Sequence, residues 1–216
     1  MLVAGIDEAG RGSVIGPLVI AGVLLNSEDL PKLMSLGVKD SKLLSPKKRS
    51  QLSQEIRSIA TRLSIVSLSP KEIDRVVESG KKLHRLNRLE ARTMAKVILD
   101  LDPDVTFVDA SDVIAHRFKQ HIEEEIPFEV NIISEHKADL KYPIVSASSI
   151  IAKVERDKLI SIIKKRHGSI GSGYPSDTKT VEFLRNWIEK FESYPEFVRK
   201  SWKTAKRFKI KTRTLE

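Results

Sequence analysis

The first 25 residues of the chain contain two apolar runs separated by one polar turn. Residues 2–6 are apolar, residues 7–12 read Asp-Glu-Ala-Gly-Arg-Gly, and a second apolar run extends from Pro17 to Leu25. Short apolar runs bounded by glycine are typical of strands. The pattern therefore predicts two strands joined by an acidic, glycine-rich turn.

Beyond this pair the apolar residues alternate between helical and strand spacing. Ser45-Pro46 and Ser69-Pro70 are helix-start signals, and the spacing of Leu52, Ile56, Ile59 and Leu63 is helical. We predict strands at 63–68, 105–109 and 128–133, and helices from Ser45, at 70–80, 83–101, 113–125, 145–166 and 178–191. This order predicts an α/β fold with a mixed sheet flanked by helices.

Asp7 and Glu8 are unusual neighbours for a strand, because strand interiors disfavour acids and adjacent anions repel each other. A divalent cation would resolve the repulsion. Successive strand residues point to opposite faces, so both acids can share one site only if the strand ends or twists sharply there. The alternative is a polar turn capped by an aspartate.

Two further acids are candidates for the same site. Asp109 ends a predicted strand, and ligand sites in open α/β sheets lie beyond the carboxyl ends of strands. It could instead cap the following helix, although Ser111 or Asp112 could also do so. Asp139, taken singly, is interpreted as an exposed loop acid.

Composition restricts the possible functions. The 216 residues contain no cysteine, which excludes disulfides and thiolate chemistry, and the net charge is +9, which favours a polyanionic partner. No apolar run has membrane-spanning length and no secretory signal is recognised, so we expect a cytoplasmic protein without membrane association.

Two segments near the C-terminus bear on nucleic-acid binding. Tyr174 lies in a glycine-rich loop, where it could stack on a base or sugar, or fill the edge of the core. Residues 199–213 contain eight Lys or Arg and no acid, which is typical of a nucleic-acid contact or of a solvated, partly disordered tail.

Seven short blocks together resemble ribonuclease HII, the type 2 ribonuclease H family. They occur in the family's order and cover nearly the whole chain up to about Arg199: GIDEAGRG from Gly5, DSKLL from Asp40, LNRLEA from Leu86, VDAS from Val108, KAD from Lys137, VSASSIIAKVERD from Val145 and GSGYPSD from Gly171. Ser148 stands where the family often has alanine.

The resemblance implies a ribonuclease H-like fold, with a central five-stranded mixed sheet, flanking helices and a helical C-terminal part. It implies a catalytic domain over residues 1–198, a basic tail over 199–216 and a monomer. The implied catalytic and metal-binding residues are Asp7, Glu8, Asp109 and Asp139, with Mg²⁺ or Mn²⁺ at a two-metal site.

The resemblance also implies how the substrate is recognised. The backbone of Gly10, Arg11 and Gly12 would contact the 2′-OH of a ribonucleotide, Tyr174 would sense the next sugar, and Lys42 would contact a phosphate. The implied partner is an RNA–DNA hybrid or a DNA duplex containing ribonucleotides. The implied reaction is endonucleolytic cleavage 5′ to a ribonucleotide, serving ribonucleotide and RNA-primer removal.

Three alternative functions account for less of the sequence. In a dinucleotide-binding oxidoreductase a helix would follow the glycine turn, but residues 17–25 predict a strand. A purely binding protein has no reason to place four acids where they repel phosphates. The third alternative is a related ribonuclease H that requires a run of ribonucleotides.

Overall fold

A computed structural model of the protein describes residues 1–38, 44–79 and 85–213, with side chains described up to Phe208. These residues contain a five-stranded sheet whose strands are β1 (Leu2–Ala9), β2 (Leu18–Asn26), β3 (Arg62–Leu68), β4 (Val105–Asp109) and β5 (Asn131–Glu135). The spatial order is β3-β2-β1-β4-β5. Strand β2 is antiparallel to β1, whereas β4 and β5 run parallel to their neighbours. The predicted mixed five-stranded sheet is confirmed.

Helices connect and flank these strands. They are α1 (Leu30–Ser35), α2 (Pro46–Ile59), α3 (Pro70–Glu78), α4 (Arg85–Leu101), α5 (Ala115–Glu123), α6 (Ala138–Lys141), α7 (Pro143–His167), α8 (Thr178–Phe191) and α9 (Lys203–Arg213), with a short 3₁₀ helix at Ser27–Asp29. Both predicted serine caps are present: the Ser45 side chain accepts from the Lys48 amide, and Ser69 forms a capping box with Glu72. No helix within the described ranges is long and apolar enough to cross a membrane.

The chain divides into two compact units. The first comprises residues 1–9, 19–66 and 84–155, and the second comprises residues 10–18, 67–83 and 156–216. One face of the sheet in the first unit packs on α4 and α5, through a core that includes Ile6, Ile20, Met94, Val97, Val108 and Phe118. The core of the second unit includes Ile15, Ile160, Leu184, Ile188, Val198 and Phe208.

The start of α7 packs closely on β1 within the first unit. A Cβ on Gly5 would collide with the backbone of Ile144 and Val145, and the Ser148 hydroxyl donates to the Gly5 carbonyl oxygen at 2.6 Å. Ser146, Ser148 and Ser149 are all buried. The small residues at this helix start therefore serve close packing.

Several predicted boundaries are wrong for identifiable reasons. Strand β1 does not end at Asp7 and Glu8, since both remain paired with β2. The helical spacing extends to Leu63, but α2 stops at Ile59; the strand predicted at 63–68 is present as β3, which begins at Arg62. Strand β5 begins at Asn131 because its register with β4 starts there, and Phe128 is exposed.

The buried stripe of α7 changes along its length. Ile150, Ile151 and Val154 are buried in its first half, whereas further along Ile160 is buried and Ile162 is exposed. Ile160 packs in the core of the second unit, which is a different partner from the sheet that the first turns contact. A single helical period therefore does not describe the whole helix.

Candidate active site

The register of two parallel strands places Asp7 and Asp109 on one face of the sheet. Gly5 of β1 pairs with Phe107 of β4, and alternation puts Asp7 and Asp109 two residues further along on the same side. This face is opposite to the one that buries Ile6 in the core beneath α4 and α5. Since α5 begins only at Ala115, Asp109 does not cap it; the Asp112 carboxylate accepts from the Ile114 amide instead.

Asp139 joins these two residues through the short helix α6. The Ala138 amide donates to Asp109 Oδ1 at 3.0 Å, which fixes the start of α6 beside the end of β4. Lys137, just before the helix, has a left-handed backbone with φ of 57°. Asp139 is buried, so its interpretation as an exposed loop acid is wrong.

Carboxylate oxygens of Asp7, Asp109 and Asp139 all lie within 4.8 Å of one another. Burial raises the pKa of Asp7 well above its ordinary value, and the charges of Glu8 and Asp109 raise it further. A hydrogen bond from the Ser149 side chain acts in the opposite direction. Clustered carboxylates of this kind, two of them buried and Asp109 half-buried, fit a hard divalent cation, which would neutralise their mutual repulsion.

Glu8 follows Asp7 on the same paired strand and lies outside this group of three. The charge of Glu8 nevertheless raises the pKa of Asp7, so the two carboxylates interact. The Glu8 amide donates to Asp7 Oδ1 at 2.7 Å, so the backbone of Glu8 orients the Asp7 carboxylate.

The second unit contains the glycine turn, Gly10–Arg11–Gly12. Gly10 has a φ of +89°, and a Cβ there would collide with the side chain of Arg156. Gly12 is exposed, and a Cβ there would meet open space. The Gly10 carbonyl oxygen accepts from the Ser13 hydroxyl at 2.8 Å, which closes the turn.

Tyr174 lies in the same unit, in the loop before α8. It is half-buried, and the guanidinium of Arg156 stacks on its ring. The preceding residue, Gly173, accepts hydrogen bonds through its carbonyl oxygen from the amides of Val14 and Ile15. The second unit thus joins the Tyr174 loop to the segment that follows the glycine turn.

Two predicted features remain, Lys42 and the basic tail. Lys42, proposed to contact a phosphate, lies outside the described residues. Arg199, the first residue of the predicted tail, is fully buried, and residues 203–213 form α9 with Ala205 and Phe208 buried. The spacing of Val198, Trp202, Ala205 and Phe208 was the sequence signal for this helix.

Sequence reasoning missed three side chains that surround these groups. They are Ser149, which hydrogen-bonds Asp7, Arg156, which stacks on Tyr174, and Arg199, which donates to the glycine turn. Ser149 and Arg156 fall within a recognised block, but nothing in that block marks them individually. Arg199 has the same sequence appearance as the basic residues after it.

Comparison with known proteins agrees with this fold. Residues 4–205 match the family model for ribonuclease HII. A ribonuclease HII of Pyrococcus furiosus is 46% identical over 209 residues, covering 96% of this chain and 91% of that protein. The crystal structure of ribonuclease H2 from Pyrococcus horikoshii superposes with a TM-score of 0.90 at 41% identity, covering 99% of both chains. The enzyme in a PCNA:RNase HII complex from Archaeoglobus fulgidus gives 0.85 at 45% identity, covering 94% and 96%.

The fold and the acidic cluster thus define a metal-dependent nuclease, an endoribonuclease of the ribonuclease H class. The chain belongs to the ribonuclease HII family.

Proposed function

We propose that this protein cuts the ribonucleotide-containing strand of a duplex on the 5′ side of a ribonucleotide, leaving 3′-OH and 5′-phosphate ends. Its substrates would be RNA–DNA hybrids and DNA duplexes with single embedded ribonucleotides. The observation that carries the proposal is the cluster of Asp7, Asp109 and Asp139, whose oxygens lie within 4.8 Å of one another. Bare carboxylates would repel a phosphodiester, whereas carboxylates that hold cations can act on one. The net charge of +9 favours binding to a nucleic acid.

We propose that Asp7, Glu8, Asp109 and Asp139 hold two Mg²⁺ or Mn²⁺ ions. Bound ions of this kind supply an activated water and neutralise charge on the phosphate and leaving oxygen. Asp7 would be the central ligand, Glu8 and Asp109 would complete the ligand set, and Asp139 would help to hold the ion that activates the water. The Ser149 hydroxyl and the Glu8 amide already orient Asp7 for this role.

We propose that the second unit selects ribose. The backbone of Gly10, Arg11 and Gly12 would contact the 2′-OH, which is the group that distinguishes RNA from DNA. Tyr174 would lie against the sugar of the following nucleotide, supported from behind by Arg156. Lys42 would contact a phosphate.

The remaining expectations from the sequence stay predictions. They are a monomeric cytoplasmic enzyme, a catalytic domain over residues 1–198 with a basic segment over 199–216, and a role in removing misincorporated ribonucleotides and RNA primers.

The test is cleavage of a labelled DNA duplex carrying one ribonucleotide, in Mg²⁺, in Mn²⁺ and in chelator. We expect a metal-dependent nick 5′ to the ribonucleotide that Asp7→Asn abolishes. Asp100→Asn is the matched control, since it makes the same chemical change at an exposed position of α4. Cleavage of long hybrids alone would favour the related ribonuclease H that needs a run of ribonucleotides, and no cleavage would overturn the proposal.

A further inference from the structure

Arg199 is a fully buried arginine whose guanidinium donates hydrogen bonds to the loop of residues 10–16. Its Nη2 donates to the Gly10 carbonyl oxygen at 2.7 Å, its Nη1 to the Arg11 carbonyl oxygen at 2.8 Å, and its Nε to the Gly16 carbonyl oxygen at 3.2 Å. The side chain is 0% exposed. A buried charge is costly unless its donors are satisfied, and the planar fork of arginine satisfies several carbonyls at once.

The backbone around Arg199 is fixed as well. Its own amide donates to the Val14 carbonyl oxygen at 2.8 Å, next to a β-bridge between Ile15 and Val198. The guanidinium also stacks on Trp202, with Cζ 4.8 Å from the ring centroid. The guanidinium therefore has a defined position from which to hold the glycine turn.

Holding the two carbonyls determines where the neighbouring amides point. The described residues contain no cis peptide bond, and in a trans peptide the N–H is directed opposite to the C=O of the same unit. The Gly10 carbonyl shares its peptide with the Arg11 N–H, and the Arg11 carbonyl shares its peptide with the Gly12 N–H. Both amides are therefore directed away from Arg199.

The outward side of this turn is open. Gly12 is exposed, and a Cβ added to it meets nothing within 4 Å. Two successive amides directed to the same side of a turn form a concave donor pair that binds an oxygen atom. A ribose hydroxyl or a phosphate oxygen has the required chemistry.

We infer that Arg199 is a positioning residue for ribose recognition, fixing the Arg11 and Gly12 amides in the direction that binds the 2′-OH. The inference rests on the proposed function, in which this turn contacts that hydroxyl. The inference gives Arg199, at the start of the basic C-terminal segment, a role other than general attraction to phosphates. Arg199 acts through the turn and does not itself touch the substrate.

Arg199→Lys tests the inference, because an ammonium keeps the charge but cannot match the fork that spans three carbonyls. The measured quantity is the ratio of affinities for a duplex with one ribonucleotide and for the same duplex in all-DNA form, in chelator so that no cleavage occurs. We expect the ratio to fall about tenfold or more, and kcat/KM at the ribonucleotide to fall by up to about 100-fold, as a displaced recognition group would cause. A merely structural role would lower both affinities together and leave the ratio unchanged.

Arg185→Lys is the matched control. Arg185 also stacks on an aromatic ring of the second unit, that of Phe208, with Cζ 5.7 Å from its centroid. The same substitution there should leave the affinity ratio at its wild-type value. A ratio that falls equally in both variants would overturn the inference.

The outcomes separate this inference from the proposed function. If wild type does not distinguish ribose from deoxyribose, the proposed function fails and the inference fails with it. If wild type distinguishes them and folded Arg199→Lys does so equally well, only the inference fails. Should Arg199→Lys not fold, Trp202→Leu replaces it, because it removes the ring stacked on the guanidinium: a lower affinity ratio supports the inference, and an unchanged ratio overturns it.

Discussion

The guanidinium of Arg156 lies over the ring of Tyr174, with Cζ 4.8 Å from the ring centroid. Arg156 is almost fully buried, and its Nη2 donates to the carbonyl oxygens of Ile15 at 3.3 Å and Ser172 at 3.4 Å. Its side chain also lies against Gly10, where a Cβ would collide with it. One arginine thus contacts the glycine turn and the loop that carries Tyr174.

The first prediction is that Arg156 and Tyr174 are energetically coupled. A double-mutant cycle with Arg156→Met and Tyr174→Leu should give a coupling of about 0.5–2 kcal/mol in the free energy of unfolding, as for a desolvated cation–π pair. Urea denaturation of the four proteins measures it. The same cycle on Arg185 and Phe208, whose separation is 5.7 Å, should give a smaller value. Equal couplings would show that the Arg156 stack has no special strength.

The second prediction concerns the two glycines of the turn. Gly10→Ala should destabilise the protein by about 1–3 kcal/mol, because Gly10 has a φ of +89° and its added Cβ would meet Arg156. Gly12→Ala should change the stability by less than about 0.5 kcal/mol, because its Cβ would enter open space. Thermal unfolding measures both changes. Equal losses for the two variants would contradict the structural difference between these positions.

The third prediction is that Asp7 destabilises the metal-free fold at neutral pH. The pKa of Asp7 is raised in the folded state by burial and by neighbouring acids, above an ordinary value of 3.8. The free-energy cost of ionising Asp7 in the folded state is therefore absent below pH 3.8. It grows as the pH rises toward the folded-state pKa and is constant above that pKa. Asp7→Asn should accordingly be more stable than wild type in chelator at pH 7, and this advantage should vanish near pH 3. Urea unfolding across that range measures the effect, and a pH-independent difference would contradict it.

Divalent metal should stabilise wild type more than Asp7→Asn. At a Mn²⁺ concentration of about 100 times the dissociation constant, wild type should gain about 2.7 kcal/mol. Asp7→Asn should gain much less, because it lacks a central carboxylate of the cluster. Asp100→Asn serves as the control and should respond as wild type does. An equal gain in Asp7→Asn would place the metal elsewhere.

The fourth prediction concerns alkaline stability. Burial raises the pKa of Tyr194 to about 12 from an ordinary value of 10.0, and its hydroxyl donates to the Ala205 carbonyl oxygen at 3.2 Å. Tyr194 ionises at a lower pH in the unfolded state than in the folded state. Its contribution to the free energy of unfolding should therefore fall by about 2–3 kcal/mol between pH 10 and pH 12. Tyr194→Phe should be about 1 kcal/mol less stable than wild type at pH 8, because the hydrogen bond is missing. Its stability should not show the additional decrease that Tyr194 causes above pH 10. Urea unfolding at pH 8 to 12 compares the two, and parallel curves would contradict the prediction.

The sequence by itself determined the local elements and part of the site. Helix starts at Ser45 and Ser69 follow from side chains that cap the amides just after them, and the apolar period of residues 105–109 identifies β4. The end of that strand already indicated Asp109 as a candidate, because short-range patterns show where an element stops. All of these signals act between residues a few positions apart.

Only the tertiary structure decided which distant residues meet. The burial of Asp139 depends on a hydrogen bond from α6 to Asp109, and the burial of Arg199 depends on carbonyl groups more than 180 positions earlier in the chain. No local feature of the sequence distinguishes Arg199 from the lysines and arginines that follow it. Its hydrogen bonds to Gly10 and Arg11 distinguish it. Such contacts are set by packing and backbone geometry across the fold, which periodicity and capping do not specify.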